Sequence, residues 1–372
     1  MKVKNLILIL GTIIAYLGII GYVRMSNDRT LEERYYHEWR EDYIKNKNQN
    51  EQYVNAAGEK GPSFALSEAQ GYGMLLAAKA GEKHLGSRID FQKLDNYYLA
   101  HRLTNSNLMS WRQKDRKNIW RDNPVSASDG DIMIAQALLH ANRVWPGHGY
   151  KSQAVNLIND IKRLEINQKA KMVTVGNWAN KDSRFYNVLR TSDVMPKAFE
   201  EFYQATGDRE WLTIKSKMLN YLQKLSKKHD TGLVPDFAWV SNNYVKPAKA
   251  NEVATNDDGH YSANACRVPM LLAESNDKNA AQVVKKMLKF FKKKGTSAGF
   301  TLKGKKLHYY QSASFSAPIF VAANKYRNQG YDTLVEQEKY IFSRSLPKDN
   351  YYDATLTTLA ALNTNELTGL EK

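Results

Sequence analysis

The sequence is almost without cysteine. Cys266 stands alone among 372 residues, which excludes an intramolecular disulfide and a multi-cysteine metal site. The 8 histidines are dispersed, so no metal-ligand cluster forms by spacing, and neither a metal nor a cofactor is expected. A phosphate-binding glycine loop is missing as well. Gly71-Tyr72-Gly73 has the G-x-G spacing, but it opens a helical pattern with no strand before it and is not a nucleotide fingerprint. No long period-2 alternation competes with the helical patterns. No fixed-period repeat is found, which argues against a consensus-repeat solenoid.

What is present is globular and aromatic. The hydrophobic fraction is 42%, with 22 Tyr and 7 Trp. The formal net charge is +16, a balance that suits anionic surroundings. The lysines are scattered over helix faces, with clusters only at 285–294 and 303–306. They read as solvated surface compatible with a negatively charged cell envelope. No nucleic-acid motif accompanies them, so no nucleic-acid partner is expected.

Residues 6–23, LILILGTIIAYLGIIGYV, carry no charge; Lys2 and Lys4 precede them and Arg24 follows. Eighteen residues are at the lower limit for a spanning helix and long for a signal-peptide core. No A-x-A-like cleavage site follows, and no cysteine is available there for lipidation. The reading is an uncleaved single-pass anchor over 1–28, with a cytoplasmic N-terminus and an extracytoplasmic domain over 29–372. Secretion after signal cleavage is the alternative.

Beyond this segment the chain is helix after helix, over 31–47, 67–80, 91–103, 129–144, 150–164, 193–206, 209–229, 264–273, 279–293, 312–328, 331–345 and 352–362. Connections are short except at 104–128 and 231–263. A dozen helices with short turns suggest six helical hairpins in one toroid, or an open solenoid. A monomer is expected.

The central stretch is Ser67-Glu68-Ala69-Gln70-Gly71-Tyr72-Gly73-Met74. Ser67 with Gln70 three residues on reads as a capping box, which makes Glu68 the first residue inside the helix. The glycines, poor helix formers, imply that something lies close to the backbone beside Glu68. Ser128-Asp129-Gly130-Asp131 repeats the design, with Ser128 as cap and Asp129 first. If both helices are inner staves of one barrel, their mouths meet and bring two carboxylates together. A second carboxylate pushes one of two pKa values up, as a general acid needs. The same features also fit two ordinary capped helices whose acids complement the helix dipole.

Five blocks in order resemble glycoside hydrolase family 8. Residues 67–77 resemble its S-E-G-Q-G-Y-G-M-L-L-A signature, and 127–141 its A-[ST]-D-G-D helix, completed by Trp145. Residues 108–112 are similar to its L-M-x-W-R segment and 232–237 to its G-L-x-P-D-W turn. Residues 265–269 match its D-A-x-R-x-P helix start from the second position on. The resemblance spans roughly 30–365. It implies an all-α (α/α)6 barrel behind the N-terminal anchor and inverting hydrolysis of a β-linked polysaccharide or oligosaccharide outside the membrane. It makes Glu68 the general acid and Asp129 the acid that positions sugar and water. Tyr72, Trp111, Arg112, Trp178, Asp236, Trp239, Asn264 and Arg267 become substrate-binding candidates, while Trp145 and Trp211 read as core.

Two positions depart from the family pattern. Its usual base is an Asp directly before A-x-R, where this chain has Asn264, an amide that takes no proton from water. The preceding loop supplies Glu252, Asp257 and Asp258, with Asp236 nearer its start; Asp257 or Asp258 is the preferred base. Asp193 stands where the family usually has an aromatic, either as a first-turn helix acid or facing a cationic group on the sugar. Besides an anchored glycosidase, the sequence allows a catalytically impaired glycan-binding protein of the same fold. It also allows a helical scaffold whose basic face binds anionic lipid or polymer.

Overall fold

Twelve α-helices form among the described residues, and their burial sorts them into two kinds. Helices α2 (Ser67–Glu82), α4 (Ser128–Val144), α8 (Val268–Ala273), α10 (Ala313–Lys325) and α12 (Tyr351–Asn363) are buried on nearly every side. Helices α3 (Arg88–Ala100), α5 (Tyr150–Leu164), α6 (Pro196–Thr206), α7 (Glu210–Lys227), α9 (Lys278–Lys294) and α11 (Asp332–Glu338) each bury one stripe. Helix α1 (Val3–Tyr43) precedes them all. The computed structural model describes the backbone of residues 3–363 except 60, 117, 118 and 243, and side chains over the same span except 3–8, 23–30, 115, 116 and 119.

The even-numbered helices make a closed ring. Each packs on the next, and α12 returns to α2. Outside it, α3 lies on α2, α5 on α4, α7 on α6, α9 on α8 and α11 on α10, while α1 covers α12. This is the (α/α)6 barrel that the helix count suggested. Its last hairpin joins the two ends of the chain: Trp39 Nε1 donates to Thr355 Oγ1 at 2.9 Å and Tyr35 Oη to the Arg344 carbonyl at 2.7 Å.

The architecture is mostly helical, not all-α. Among the described residues ten short strands form four small sheets of two or three strands. None is longer than 5 residues, too short for alternation to register. Strand Phe64–Leu66 pairs with Arg112–Arg116, laying the 104–128 connection over the start of α2. Strand Val188–Arg190 pairs with Phe237–Ser241, bringing the 231–263 connection beside Arg190. Helix α1 ends at Tyr43, short of 47, because Ile44–Asn46 pairs with Gln52–Val54. The expected 331–345 helix is α11 followed by a 3₁₀ turn, Lys339–Phe342.

Neither expected capping box forms. The residues before α2 and α4, Leu66 and Ala127, are the extended N-caps, which places Ser67 and Ser128 inside the first turn. Tertiary partners take the side chains instead. Gln70 accepts from the Val54 amide and donates to the Gln52 and Leu94 carbonyls; Asp131 accepts from the Met109 amide. A true capping box stands at Ser87 and Asp90, ahead of α3.

The expected anchor, 6–23, lies partly outside the described side chains. No helix among the described residues is long and apolar enough to cross a membrane. Within α1, Ile14, Leu17 and Ile19 are more than 60 % exposed.

Candidate active site

The glycines of the central motif let two helices touch. A Cβ on Gly71 would stand 2.7 Å from Met133 Cβ and 3.1 Å from the Gly130 carbonyl; one on Gly130 would stand 2.7 Å from the Glu68 amide. The group that lies close to the backbone beside Glu68 is therefore α4. This contact sets the starts of α2 and α4 side by side. Glu68 and Asp129 each sit second in their helix.

Arg267, at the start of α8, joins them. Its Nη1 donates to Glu68 Oε1 at 2.9 Å and to Asp129 Oδ2 at 3.3 Å. Its Nη2 donates to Ser192 Oγ at 2.9 Å and Asn264 Oδ1 at 3.2 Å. Tyr351, first residue of α12, donates its hydroxyl to Glu68 Oε2 at 3.2 Å. Arg190 Nη2 pairs with Asp129 Oδ1 at 2.9 Å, and Arg190 Nε with Asp193 Oδ1 at 2.7 Å. The starts of α2, α4, α8 and α12 and the turn before α6 thus meet at one mouth of the barrel.

The two carboxyls have opposite electrostatics. Burial raises the Glu68 pKa, the Asp129 charge adds to it, and Arg267 opposes. Burial also pulls Asp129 upward, but Arg190, Arg267 and the Gly130 amide outweigh it and hold Asp129 below the usual carboxylate range. Glu68 keeps 20 % of its side chain open to solvent and Asp129 only 4 %. The group whose pKa is raised faces the mouth; the one whose pKa is lowered lies behind it. That is the division of labour by which two carboxyls run acid catalysis near neutral pH.

The other expected site residues fall into three groups. Trp178 is 38 % exposed and meets Phe185 edge-on at 5.4 Å; Phe185 stacks on Trp239 at 6.5 Å. Asn177 is bonded to Ser126, two residues before α4, so this aromatic cluster borders the mouth. Arg112 lies over the Phe64 ring, with its guanidinium carbon 5.8 Å from the Trp111 ring centre. The Trp111 carbonyl accepts from the Ser67 amide. Tyr72 is buried, and Arg267 and Glu68 both act on its hydroxyl's ionisation.

A second group is structural. Asp236 is buried and accepts from the Ser262 and Ala265 amides at 3.0 and 2.7 Å, so it caps the entry to α8. Asp193 is sealed against Arg190 in a 3₁₀ turn; it is neither a first-turn acid of α6 nor exposed to a ligand. Asn264 holds Arg267 and reaches Asp236 at 3.5 Å.

The third group is the loop considered for the base. Asp258 is fully buried and accepts from the amides of Val253, Ala254 and Thr255, which occupies it in tying the loop. That environment gives Asp258 a part in holding the loop. Glu252 accepts from Trp239 Nε1 and the Lys249 amide. The Asp257 side chain is half-buried and makes no hydrogen bond among the described residues.

Sequence reasoning missed Arg190, Ser192 and Tyr351. Arg190 and Ser192 lie in the 190–196 segment that departs from the family pattern. Tyr351 directly precedes the expected 352–362 helix. The described residues contain no group of His, Cys, Asp and Glu that could hold a metal ion.

Residues 13–366 match the family described as Glycosyl hydrolases family 8. The chain is 32% identical over 302 residues to a beta-glucanase of Niallia circulans, covering 77% of this chain and 72% of that protein. It is 27% identical over 363 residues to an endoglucanase of Bacillus sp. (strain KSM-330), covering 89% and 77%. Among solved structures, the apo beta-1,3-1,4-glucanase from Paenibacillus sp. X4 superposes with a TM-score of 0.81 at 27% identity, covering 91% of both chains.

Proposed function

Because the chain belongs to glycosyl hydrolases family 8, and is an O-glycosyl hydrolase, we propose that it cleaves a β-linked polysaccharide with inversion, in the mouth lined by Glu68 and Asp129. The observation that carries this reading is the single Arg267 nitrogen shared by Glu68, whose pKa burial raises, and Asp129, whose pKa the guanidinium groups lower.

In the proposed reaction Glu68 gives its proton to the glycosidic oxygen as the bond to the anomeric carbon breaks. Asp129, held by two guanidinium groups, stabilises the positive charge that develops on the sugar ring. A water attacks the opposite face and loses its proton to a base. Inversion requires acid and base carboxyls about 6.5–9.5 Å apart, whereas the Glu68 and Asp129 oxygens share one neighbouring nitrogen. We assign the base to Asp257, the carboxylate of its loop that is not occupied in holding the backbone. Trp178 and Trp239 would carry sugar rings beside the cleft.

The N-terminal segment is read as an anchor that leaves the barrel outside the cell membrane. The exposed apolar side chains of Ile9 to Tyr22 support this, since a helix apolar on all faces needs a cover. Replacing Glu68 with Gln and measuring reducing-end release across a panel of β-glycans tests the hydrolytic reading; unchanged turnover rejects it. Asn264 in place of an acid favours a second reading, a protein that binds glycans without cleaving them. Tight oligosaccharide binding with no product from the unmodified protein would decide for that reading.

A further inference from the structure

A cavity of about 470 Å³ opens at the other end of the barrel. It is lined by the far ends of the inner helices: Lys79 on α2, Arg143 on α4, Glu274 just past α8, Lys325 at the end of α10 and Asn363 at the end of α12. At 1.5 Å per residue, Lys79 lies about 16 Å along α2 from Glu68. The cavity therefore belongs to different side chains from those of the catalytic mouth, on the same helices.

Its charged groups are unevenly satisfied. Glu201 accepts from Gln136 at 3.1 Å and Arg143 at 3.4 Å and pairs with Lys197 at 3.6 Å. Lys325 donates to the Ala273 and Ser275 carbonyls and to Asn276 Oδ1. Lys79 differs: its ammonium has no hydrogen bond or ion pair among the described residues. Burial lowers its pKa, opposed by Glu274 and Glu82. Among the described residues the Glu274 carboxyl accepts only one long hydrogen bond, 3.5 Å from Asn363 Nδ2, and burial raises its pKa. His140 is held near a pKa of about 4 by burial and by Lys79 and Arg143, and adds no charge at neutral pH. Four cationic side chains, Lys79, Arg143, Lys197 and Lys325, thus face two carboxyls, Glu201 and Glu274.

We propose that this cavity is a binding site for a small polyhydroxylated oxyanion, a sugar acid or sugar phosphate, whose anionic group pairs with Lys79. The lining carries more cationic than anionic side chains, and an oxyanion seated on Lys79 offsets that excess of positive charge. Gln136, Asn324 and Asn363 supply amides for hydroxyl groups. The volume lies in the range of small-ligand sites and suits one or two sugar rings.

Calorimetry on the full chain with glucose 6-phosphate, glucuronate and uncharged glucose tests the site. At least one of the two anions binds and glucose does not. Lys79→Met, which keeps the apolar stem, weakens that binding at least about tenfold. Glu274→Gln, which removes the opposing charge without changing shape, strengthens it. Thermal unfolding of both variants confirms that they fold. No binding of either anion, equal binding of glucose, or undiminished binding by a folded Lys79→Met variant overturns the proposal. Glu68→Gln leaves this binding unchanged, so the outcome here is independent of the hydrolytic reading.

Discussion

Gly71 on α2 and Gly130 on α4 meet so closely that neither has room for a methyl group. Their contact places Glu68 beside Asp129, so it links backbone packing directly to the chemistry. Overpacking of this kind costs about 1–3 kcal/mol. Gly71→Ala is expected to lose stability in that range. Its kcat/KM falls as well, because the two helix starts separate. Gly130→Ala is expected to be worse, since its methyl meets the Glu68 amide. Urea midpoints and initial rates check both. Unaltered stability in the two variants would show that the helices have slack.

Tyr351 donates to Glu68, and a hydrogen bond to the charged form lowers a carboxyl pKa. Tyr351→Phe is therefore expected to raise the Glu68 pKa and move the alkaline limb of the kcat/KM profile to higher pH, with a loss of up to about tenfold at the optimum. A profile that keeps its limb while falling in amplitude would assign the tyrosine to packing alone.

How far the sequence revealed this arrangement depended on the range of the forces involved. The inner staves were legible because α2 and α4 are apolar runs opening with an acid, a pattern carried by neighbouring residues. Gln70 and Asp131 misled as capping partners because Val54 and Met109 supply donors from elsewhere in the fold. Arg190 and Tyr351 were hidden, since only ring closure brings them to Asp129 and Glu68. Asp257 and Asp258 are neighbours of one type, yet the turn of the loop buries one under three amides and leaves the other's carboxyl with no hydrogen bond among the described residues.

Ser126, two residues before α4, donates to a buried carboxyl, Glu165, which burial raises to a pKa of about 8, with Ser126 opposing the rise and Asp193 adding to it. A pKa raised in the folded state contributes stability that is complete below the unfolded value. It is lost as pH climbs through the folded one. Stability should accordingly fall between about pH 4.5 and 8. Glu165→Gln should flatten that slope while retaining an acceptor for Ser126. Melting temperatures across this interval decide it; an equal slope in the variant would place the titration elsewhere.

The base assignment separates two neighbours. Asp257→Asn is expected to lower kcat by about 10²–10⁴-fold with little change in stability. Asp258→Asn is expected to loosen the loop and lower the melting temperature, because its acceptor oxygens hold three amides. Azide should restore turnover only to the Asp257 variant. Full activity of Asp257→Asn would remove it from the mechanism.

The central claim is that Glu68 delivers a proton to the leaving oxygen. The most direct measurement compares Glu68→Gln with the unmodified enzyme on a β-glucan and on an aryl β-glycoside whose leaving group departs without protonation. A loss of about 10²–10⁴-fold on the polysaccharide, with the aryl glycoside still cleaved at close to the original rate, is the predicted result. Equal loss on both substrates, or no loss on either, would contradict it.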